Sequence, residues 1–209
     1  MRDRRPGHET VDDMNERITA AFEDVPVCAS VVGSARVPDF VKARSRVGIL
    51  ASVAVGQLPK IVAALAGLGK LVFVNIDSCP GLATDRGGVD FLQEIGAAGV
   101  VSTRVAPIER ARALSLLTMH KVFVTDRSNL NRSLEAVKRS GPDLVELMPA
   151  PIIPWMSAPA REILSPFVAA GFVTDRDGVA HSLAMGALAA ASSDAGLWSL
   201  TRSRLRTGE

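Results

Sequence analysis

The stretch Pro166–Ser193, PFVAAGFVTDRDGVAHSLAMGALAAASS, has the pattern of a strand, a turn, a helix and a second strand. Its first apolar run, Phe167–Ala169, leads to Gly171, a residue suited to a tight turn. The second apolar run, Ala187–Ala191, ends at two serines. Two parallel strands joined by one helix form a βαβ unit. The last such unit of an eight-stranded α/β barrel commonly binds phosphate through backbone N–H groups.

The helix between these two runs has recognisable ends. Asp175 or Asp177 is suited to accept a hydrogen bond from a backbone N–H of the first turn. The helix is expected to run to about Met185, and Gly186 is expected to end it. If the stretch closes a barrel, the chain before it should contain six more repeats.

Eight apolar runs, rich in β-branched residues, recur along the chain with starts roughly 20 to 29 residues apart. That distance accommodates a strand, a helix and two short loops. The pattern predicts an α/β fold, a (β/α)8 TIM-barrel-like single domain, with an open doubly wound sheet as the main alternative. The predicted strands are Val27–Val32, Val47–Ser52, Leu71–Ile76, Val100–Thr103, Val122–Asp126, Leu144–Met148, Phe167–Gly171 and Leu188–Ala191.

The first 26 residues precede this repeat. They are expected to form a polar tail and a helix near Val11–Phe22 that caps the bottom of the barrel, so the barrel domain would occupy residues 27–209. The N-terminal segment MRDRRPGHET is charged and lacks the apolar core of a secretory signal.

Composition excludes several classes of protein. The chain has 209 residues, 47% of them hydrophobic, which is enough for one domain with a substantial core. The two cysteines, Cys28 and Cys79, have no CxxC spacing, so neither a metal site nor a disulfide is expected and the cytoplasm is the natural compartment. The longest apolar stretch, Ile49–Leu68, is interrupted by polar residues and does not predict a membrane span. No cofactor motif is present.

Polar residues collect at the carboxyl ends of the predicted strands, the face on which barrel proteins carry their sites. We see no comparable set at the strand starts. The residues expected on that face are Ser52, Asp77, Ser102, Thr103, Arg104, Asp126, Glu146, Gly171, Ser192 and Ser193.

Two groups on this face have more than one interpretation. Gly171, Ser192 and Ser193 could bind a phosphate, or they could form a tight turn and a helix cap. Arg104 could bind a phosphate or an acid through its planar guanidinium, or it could pair with Glu146 or Asp126.

Glu146 alternates with Leu144 and Met148, so its carboxylate is expected to point into the barrel. A buried charge needs a partner, which could be Lys121, Arg104 or the hydroxyls of a small polyol.

No catalytic residue is predicted. Asp77 and Asp126 could act as a general acid or base, but strand-end aspartates more often cap loops. His8 lies in the tail, His120 is predicted to precede a strand and His181 to lie within a helix, so no nucleophile, base and orienting group come together.

Basic residues recur in the helical layer and near the C-terminus. They could form a nucleic-acid surface, although solvated helix faces are the commoner explanation, and aromatic residues are 4% of the chain. They are Arg36, Lys42, Arg44, Arg46, Arg127, Arg132, Lys138, Arg139, Arg202, Arg204 and Arg206.

Five motifs together resemble the glycerol-3-phosphate-responsive antiterminator family. The resemblance spans about Val27–Trp198. It implies a TIM-barrel-like protein that binds glycerol-3-phosphate and acts on leader mRNA to prevent early termination of transcription in glycerol-utilisation operons. The motifs are NIDSCPGLATDRGGVDFLQEIGAAGVVSTR (Asn75–Arg104), KVFVTD (Lys121–Asp126), PDLVELMP (Pro142–Pro149), AAGFV (Ala169–Val173) and GALAAASSDAGLW (Gly186–Trp198).

The resemblance also implies a set of ligand-binding residues. In the roles we assign, Gly171, Ser192 and Ser193 hold the phosphate, Asp77 and Glu146 accept hydrogen bonds from the glycerol hydroxyls, and Arg104 orients the acids or reaches the phosphate. The implied set is Asp77, Thr103, Arg104, Glu146, Gly171, Ser192 and Ser193.

This sequence departs from the family pattern at several positions, mainly on the polyol side. A related small phosphate ester is therefore an alternative ligand. The departures are at Ser52 and Ala54, where an aspartate and a histidine are expected, Asn75 for histidine, Lys121 for arginine, and Ala150 and Ala170 for glycine.

Three functions are compatible with the sequence. The first is a regulator that senses glycerol-3-phosphate and binds leader mRNA; the second is a TIM-barrel enzyme acting on a small phosphorylated substrate. The third is a divergent barrel retained for protein interactions. Whether the protein forms a homo-oligomer is left open.

Overall fold

The computed structural model describes residues 11–207 and has the predicted (β/α)8 barrel architecture. Eight parallel strands form a closed sheet, in which β1 pairs with both β2 and β8. Closure excludes the open doubly wound sheet. The strands are β1 Val27–Val32, β2 Val47–Ala51, β3 Leu71–Asn75, β4 Gly99–Ser102, β5 Leu117–Phe123, β6 Leu144–Met148, β7 Phe167–Ala170 and β8 Ala189–Ser192.

Helices cover the outside of the sheet and both chain ends of the described region. Short 3-10 segments at Ser34–Arg36, Val55–Gln57, Ala150–Trp155 and Ala195–Leu197 follow four of the strands. The helices are α1 Val11–Ala21, α2 Val37–Lys42, α3 Leu58–Gly67, α4 Arg86–Glu94, α5 Val105–Ala113, α6 Arg127–Ser140, α7 Ala158–Leu164, α8 Arg176–Ala184 and α9 Arg202–Thr207.

Alternation along the strands divides the core into two layers. Inward residues such as Ile49, Phe73 and Met119 fill the barrel. Outward residues such as Leu50 and Val74 pack against the helices. The wall formed by β7 and β8 presents only small side chains at its upper end, because Ala170 and Ala191 point inward there. Space therefore remains inside the barrel beside these two strands.

The N-terminal helix α1 closes the bottom of the barrel, as predicted. Its Ile18 and Ala21, together with Phe22, are buried in the same cluster as the inward residues of the strands. The guanidinium of Arg202 donates to the carbonyl of Phe22 at 3.4 Å. This hydrogen bond ties the C-terminal helix α9 to the residue that follows α1. The tail, with His8, lies outside the described residues, and the division at residue 26 stays a prediction.

The predicted bounds of the fifth strand were wrong. We predicted Val122–Asp126, whereas β5 begins at Leu117. Leu117 continues the helical spacing of α5 and was therefore assigned to the helix. In the structure Ser115 has a φ of 58° and reverses the chain after α5, so the strand begins earlier. The other strand ends lie within one residue of the prediction.

Candidate functional site

The seven predicted ligand-binding residues all lie at the carboxyl ends of the strands, but the structure divides them into two groups. Glu146, Gly171, Ser192 and Ser193 line a cavity of about 230 Å³, which we call the β6–β8 cavity. Asp77, Thr103 and Arg104 do not line it. The cavity is also lined by Ser30, Val32, Lys121, Met148, Ala170, Phe172, Val173, Thr174 and Ala191.

Lys121 and Glu146 form an ion pair in the wall of the β6–β8 cavity. They are direct register partners on β5 and β6, and both point inward. The Lys121 ammonium lies 3.3 Å from each carboxylate oxygen, but it donates a hydrogen bond only to Oε1. Oε2 accepts no hydrogen bond from any residue in the described part of the chain. This pairing confirms Lys121, one of the three partners considered for Glu146.

The pair is largely removed from solvent. The side chain of Glu146 is 4% exposed and that of Lys121 is 17% exposed. Burial raises the pKa of Glu146, and the neighbouring Lys121 charge opposes part of that rise. Cys28, inside the barrel on β1, has a thiol pKa raised by burial and further by the Glu146 charge. The carboxylate is therefore a strong acceptor for a hydrogen-bond donor that enters the cavity.

The turn after β7 brings backbone to the edge of the cavity. Gly171 has a φ of 76°, which glycine adopts without steric cost, and a Cβ there would lie 3.2 Å from the Met148 methyl group. Phe172 also has a positive φ, 60°, and its ring is 80% exposed at the rim. The next helix, α8, is capped by Asp175, which accepts from Gly178 N at 2.8 Å, as one of the two predicted alternatives.

At the end of β8 the two serines differ in orientation. Ser192 is buried, and its hydroxyl donates to Val173 O at 2.7 Å and accepts from Asp194 N at 3.1 Å. Ser193 is exposed at the cavity. The fully buried Trp198 donates from its indole nitrogen to Ser192 O at 2.8 Å. Ser192 therefore fixes the shape of the loop, whereas Ser193 faces the cavity mouth.

Asp77 organises the second group, at the ends of β3 and β4. Its carboxylate accepts from Ser102 Oγ at 2.9 Å, from Thr103 N at 2.6 Å and from Thr103 Oγ1 at 2.8 Å. A carboxylate with three hydrogen bonds from its own chain holds the β4 loop in place. This use of Asp77 leaves it little capacity for acid or base chemistry.

Arg104 does not pair with Glu146 or Asp126, so that prediction was wrong. Its Nε lies 4.0 Å from an oxygen of Asp77, and its Nη1 donates to Thr84 Oγ1 at 2.7 Å. The side chain is 62% exposed, which leaves the guanidinium accessible at the rim above β3 and β4. Glu146 lies two strands away, on β6, which explains why the pair does not form.

Two further sequence candidates have structural roles. Asp126 caps α6 by accepting from Asn129 N at 2.7 Å, and this hydrogen bond lowers its pKa. His120 was predicted to precede a strand, but in the structure it lies within β5. Its Nδ1 is 2.8 Å from Ser140 Oγ, and burial lowers its pKa.

Within residues 11–207, no group of three or more His, Cys, Asp or Glu side chains could hold a metal ion. Nor does any helix of that region have the length and apolar run needed to cross a membrane.

The sequence indicated some members of the site only indirectly. Ser30 was missed, since a serine within an apolar strand carries no signal of its own. Trp198 was quoted as part of a motif without a role, and its burial at the end of β8 supplies one. Lys121 was identified as a partner for Glu146 but not as a cavity residue. The predicted strand began one residue after it, at Val122, so its inward direction was not recognised.

Comparisons with known proteins identify relatives with the same fold. A solved glycerol uptake operon antiterminator regulatory protein from Listeria monocytogenes is 26% identical, with a TM-score of 0.73, and covers 81% of this chain and 94% of its own. A glycerol uptake operon antiterminator-related protein from Thermotoga maritima has the same fold, with 23% identity, a TM-score of 0.73 and coverage of 84% and 98%. The uncharacterized protein YgcP from Escherichia coli (strain K12) is 25% identical over 152 residues, which are 71% of this chain and 78% of YgcP.

The family model of the glycerol-3-phosphate responsive antiterminator matches residues 27–198, the segment that runs from the start of β1 to the buried Trp198. This segment contains all eight strands, both groups of strand-end residues and the β6–β8 cavity. The family is one of transcription regulators, in keeping with aspartates that cap and tie loops at the strand ends. The chain belongs to the glycerol-3-phosphate responsive antiterminator family.

Proposed function

We propose that the protein binds glycerol-3-phosphate in the β6–β8 cavity and, in the cytoplasm, acts on leader mRNA of glycerol-utilisation genes to prevent early termination of transcription. The observation that carries the ligand half is the Glu146 carboxylate. Its Oε2 is buried at the cavity, beside Lys121, and has no hydrogen-bond donor among the described residues. A polyol hydroxyl supplies the missing donor.

The cavity suits a small, charged ligand. Its volume of about 230 Å³ is below the roughly 300–1,000 Å³ of sites for drug-sized molecules. Lys121 supplies a positive charge on the Glu146 side of the cavity, which attracts an anionic ligand. Gly171 and Ser193 present backbone without a large side chain on the opposite side, close to the start of α8. The ligand would then lie with its hydroxyls toward Glu146 and its phosphate toward β7 and β8.

The residues around Asp77 have a different role in this proposal. Asp77 and Thr103 are bonded to each other, so we assign them to the loop that carries Arg104. The exposed Arg104 guanidinium then acts at the rim, where it reaches the phosphate of an entering ligand. In this arrangement a single substitution of Asp77 weakens binding through loop disorder.

Calorimetry and thermal unfolding with glycerol-3-phosphate test the ligand half. At a ligand concentration of about 100 times the dissociation constant, the free energy of unfolding should rise by about 2.7 kcal/mol. Glu146→Gln removes the charged acceptor and should weaken binding about tenfold to a hundredfold. Glycerol and inorganic phosphate, each offering half of the ligand, serve as controls and should bind far more weakly.

Two results would contradict the proposal. The first is the absence of any effect of glycerol-3-phosphate on the wild-type protein. The second is unchanged affinity in Glu146→Gln, which would place the ligand elsewhere on the barrel. Filter binding of a leader transcript from a glycerol operon of the same genome tests the RNA half independently.

A further inference from the structure

Positive charge is concentrated on two neighbouring helices, α5 and α6. Together they carry six basic residues and two acidic ones, a net charge of +4, although the whole chain has a net charge of +2. The rest of the chain is therefore net negative. The basic residues are Arg110, Arg112, Arg127, Arg132, Lys138 and Arg139.

An open groove of about 760 Å³ lies along α6 and reaches Val105, the first residue of α5. Arg132, Lys138 and Arg139 line it, together with Val105, Asn131, Ala136 and one acidic residue, Glu135. These basic side chains are exposed, and so is that of Arg127 at the start of α6, which does not line the groove. The groove thus offers several cationic side chains and an amide to a partner that lies along it.

The basic side chains can exchange their present ion-pair partners for an anionic ligand at little cost. Lys138 pairs with Glu135 at 2.9 Å and Arg139 with Glu109 at 3.7 Å, but both pairs are exposed. Exposed ion pairs contribute little, typically less than about 1 kcal/mol. Arg127 and Arg132 form no ion pair with any residue that the structure describes. An anionic partner therefore displaces few favourable contacts.

The two helices that carry the basic residues are tied to each other and to the barrel. Arg112 spans the two helices and donates from Nη1 to Ser140 O at 3.0 Å, at the end of α6. Ile108 and Val137 are buried beneath the helices against the barrel. The charged side chains therefore project from a preformed frame, which lowers the entropic cost of binding an extended polyanion.

The groove is connected to the β6–β8 cavity through β5 and the start of α6. Lys121 of the cavity lies in the same strand as Phe123, and its ammonium is 5.5 Å from the centre of the Phe123 ring. That ring is 46% exposed, and α6 begins four residues later. Phe123 is two residues after the inward-pointing Lys121, so its ring lies at the barrel mouth. An exposed aromatic ring there is suited to stack on an unpaired base.

We propose that this α5–α6 surface, with Phe123 at the nearby barrel mouth, is where the protein binds single-stranded segments of RNA, with arginines on the phosphates. The inference rests on the proposed function and adds the surface that carries it out. Guanidinium groups match phosphate geometry, and several cationic side chains spread along one helix suit a phosphate backbone better than a single anion.

Binding of a fluorescent leader transcript tests the surface. The double variant Arg127→Ala, Arg132→Ala should bind the transcript about tenfold more weakly at about 0.15 M salt. The slope of log K against log salt should fall by about 1.4, the value for two lost phosphate contacts on a single strand. The matched control Lys42→Ala, Lys60→Ala removes the same charge from exposed sites on α2 and α3 and should bind like wild type.

The possible outcomes distinguish failure of the proposed RNA-binding surface from failure of the proposed function. Equal losses in both double variants would show that net charge alone matters and would overturn the surface. Wild-type affinity in the α6 variant would overturn it as well. No RNA binding by the wild-type protein, with glycerol-3-phosphate present, would overturn the RNA half of the proposed function and the surface with it. Phe123→Leu should weaken binding without changing the salt slope, because stacking involves no counterion release.

Discussion

Glu146 combines a charge, deep burial and an unfilled hydrogen-bonding position. Its pKa is raised because burial penalises the carboxylate, and Lys121 is the side chain that opposes this effect. Breaking a buried pair by removing one partner is more costly than replacing both, because the remaining charge stays desolvated. The stability of the barrel should therefore depend on Lys121 more than on any exposed lysine.

Lys121→Met should lower the free energy of unfolding by about 3 kcal/mol near neutral pH. The folded-state pKa of Glu146 already lies above its usual value and should rise further without Lys121. The native state then binds the proton more tightly than the unfolded state, so the penalty is full above the folded pKa. It should disappear as pH falls through that pKa toward the unfolded value of about 4.3.

Urea unfolding at about pH 8 and about pH 5 measures this effect. Lys138→Met is the matched control, since Lys138 pairs with Glu135 on the surface, and it should cost less than about 1 kcal/mol at both values. A loss that is the same at both pH values for Lys121→Met would indicate lost packing and not an uncompensated charge.

For single residues, the sequence predicted the direction in which a side chain points better than it predicted which side chain it pairs with. Alternation with Leu144 and Met148 was sufficient to point Glu146 inward, because the side-chain period of a strand is two. The partner of Arg104 could not be obtained in this way. It depends on the distance between loops of different strands, which no local pattern encodes.

Three of the helices that follow strands begin in the same way. Asp85, Asp126 and Asp175 cap α4, α6 and α8, and each accepts from the backbone N–H three residues later. Short polar caps of this kind are visible in a sequence, and the start of α8 was predicted from one. The start of β5 was not, since the positive φ of Ser115 has no glycine or asparagine to indicate it.

Gly171→Ala and Gly186→Ala form a matched pair. Both residues have a positive φ, 76° and 93°, so each alanine should cost roughly 1–2 kcal/mol of stability from backbone strain. A Cβ at Gly186 meets no atom within 4 Å, whereas one at Gly171 meets the Met148 methyl at 3.2 Å. Only Gly171→Ala narrows the β6–β8 cavity.

Glycerol-3-phosphate affinity should therefore fall in Gly171→Ala and stay unchanged in Gly186→Ala, with similar losses of melting temperature. Calorimetry with glycerol-3-phosphate, beside thermal unfolding of both variants, measures the two effects separately. Equal affinity in the two variants would argue against a ligand that contacts the β7 turn.

For the whole molecule, the proposed ligand and RNA sites occupy different layers of one barrel. The cavity lies inside the strand ends and the basic groove lies on the outer helices, with β5 and the start of α6 between them. Two sites on one protein influence each other only through a coupling free energy, and that coupling is reciprocal.

If saturating glycerol-3-phosphate strengthens binding of the leader transcript by some factor, saturating transcript must strengthen binding of glycerol-3-phosphate by the same factor. Couplings of this type are typically about 5- to 150-fold. Calorimetry with and without RNA, and filter binding with and without ligand, measure the two factors. If both partners bind tightly and neither changes the affinity of the other, the ligand does not regulate RNA binding.

The alanines on the β7 and β8 wall have a consequence for how ligand preference can change. Ala170 and Ala191 leave the cavity to one side of the barrel axis, while bulky residues such as Phe73 and Met119 fill the other side. In the proposed complex, the size of the bound molecule would be set by two small side chains, and its charge by a separate ion pair. A larger residue at either alanine would exclude a three-carbon ester yet leave the ion pair intact, so size selectivity and charge recognition can diverge independently in related chains.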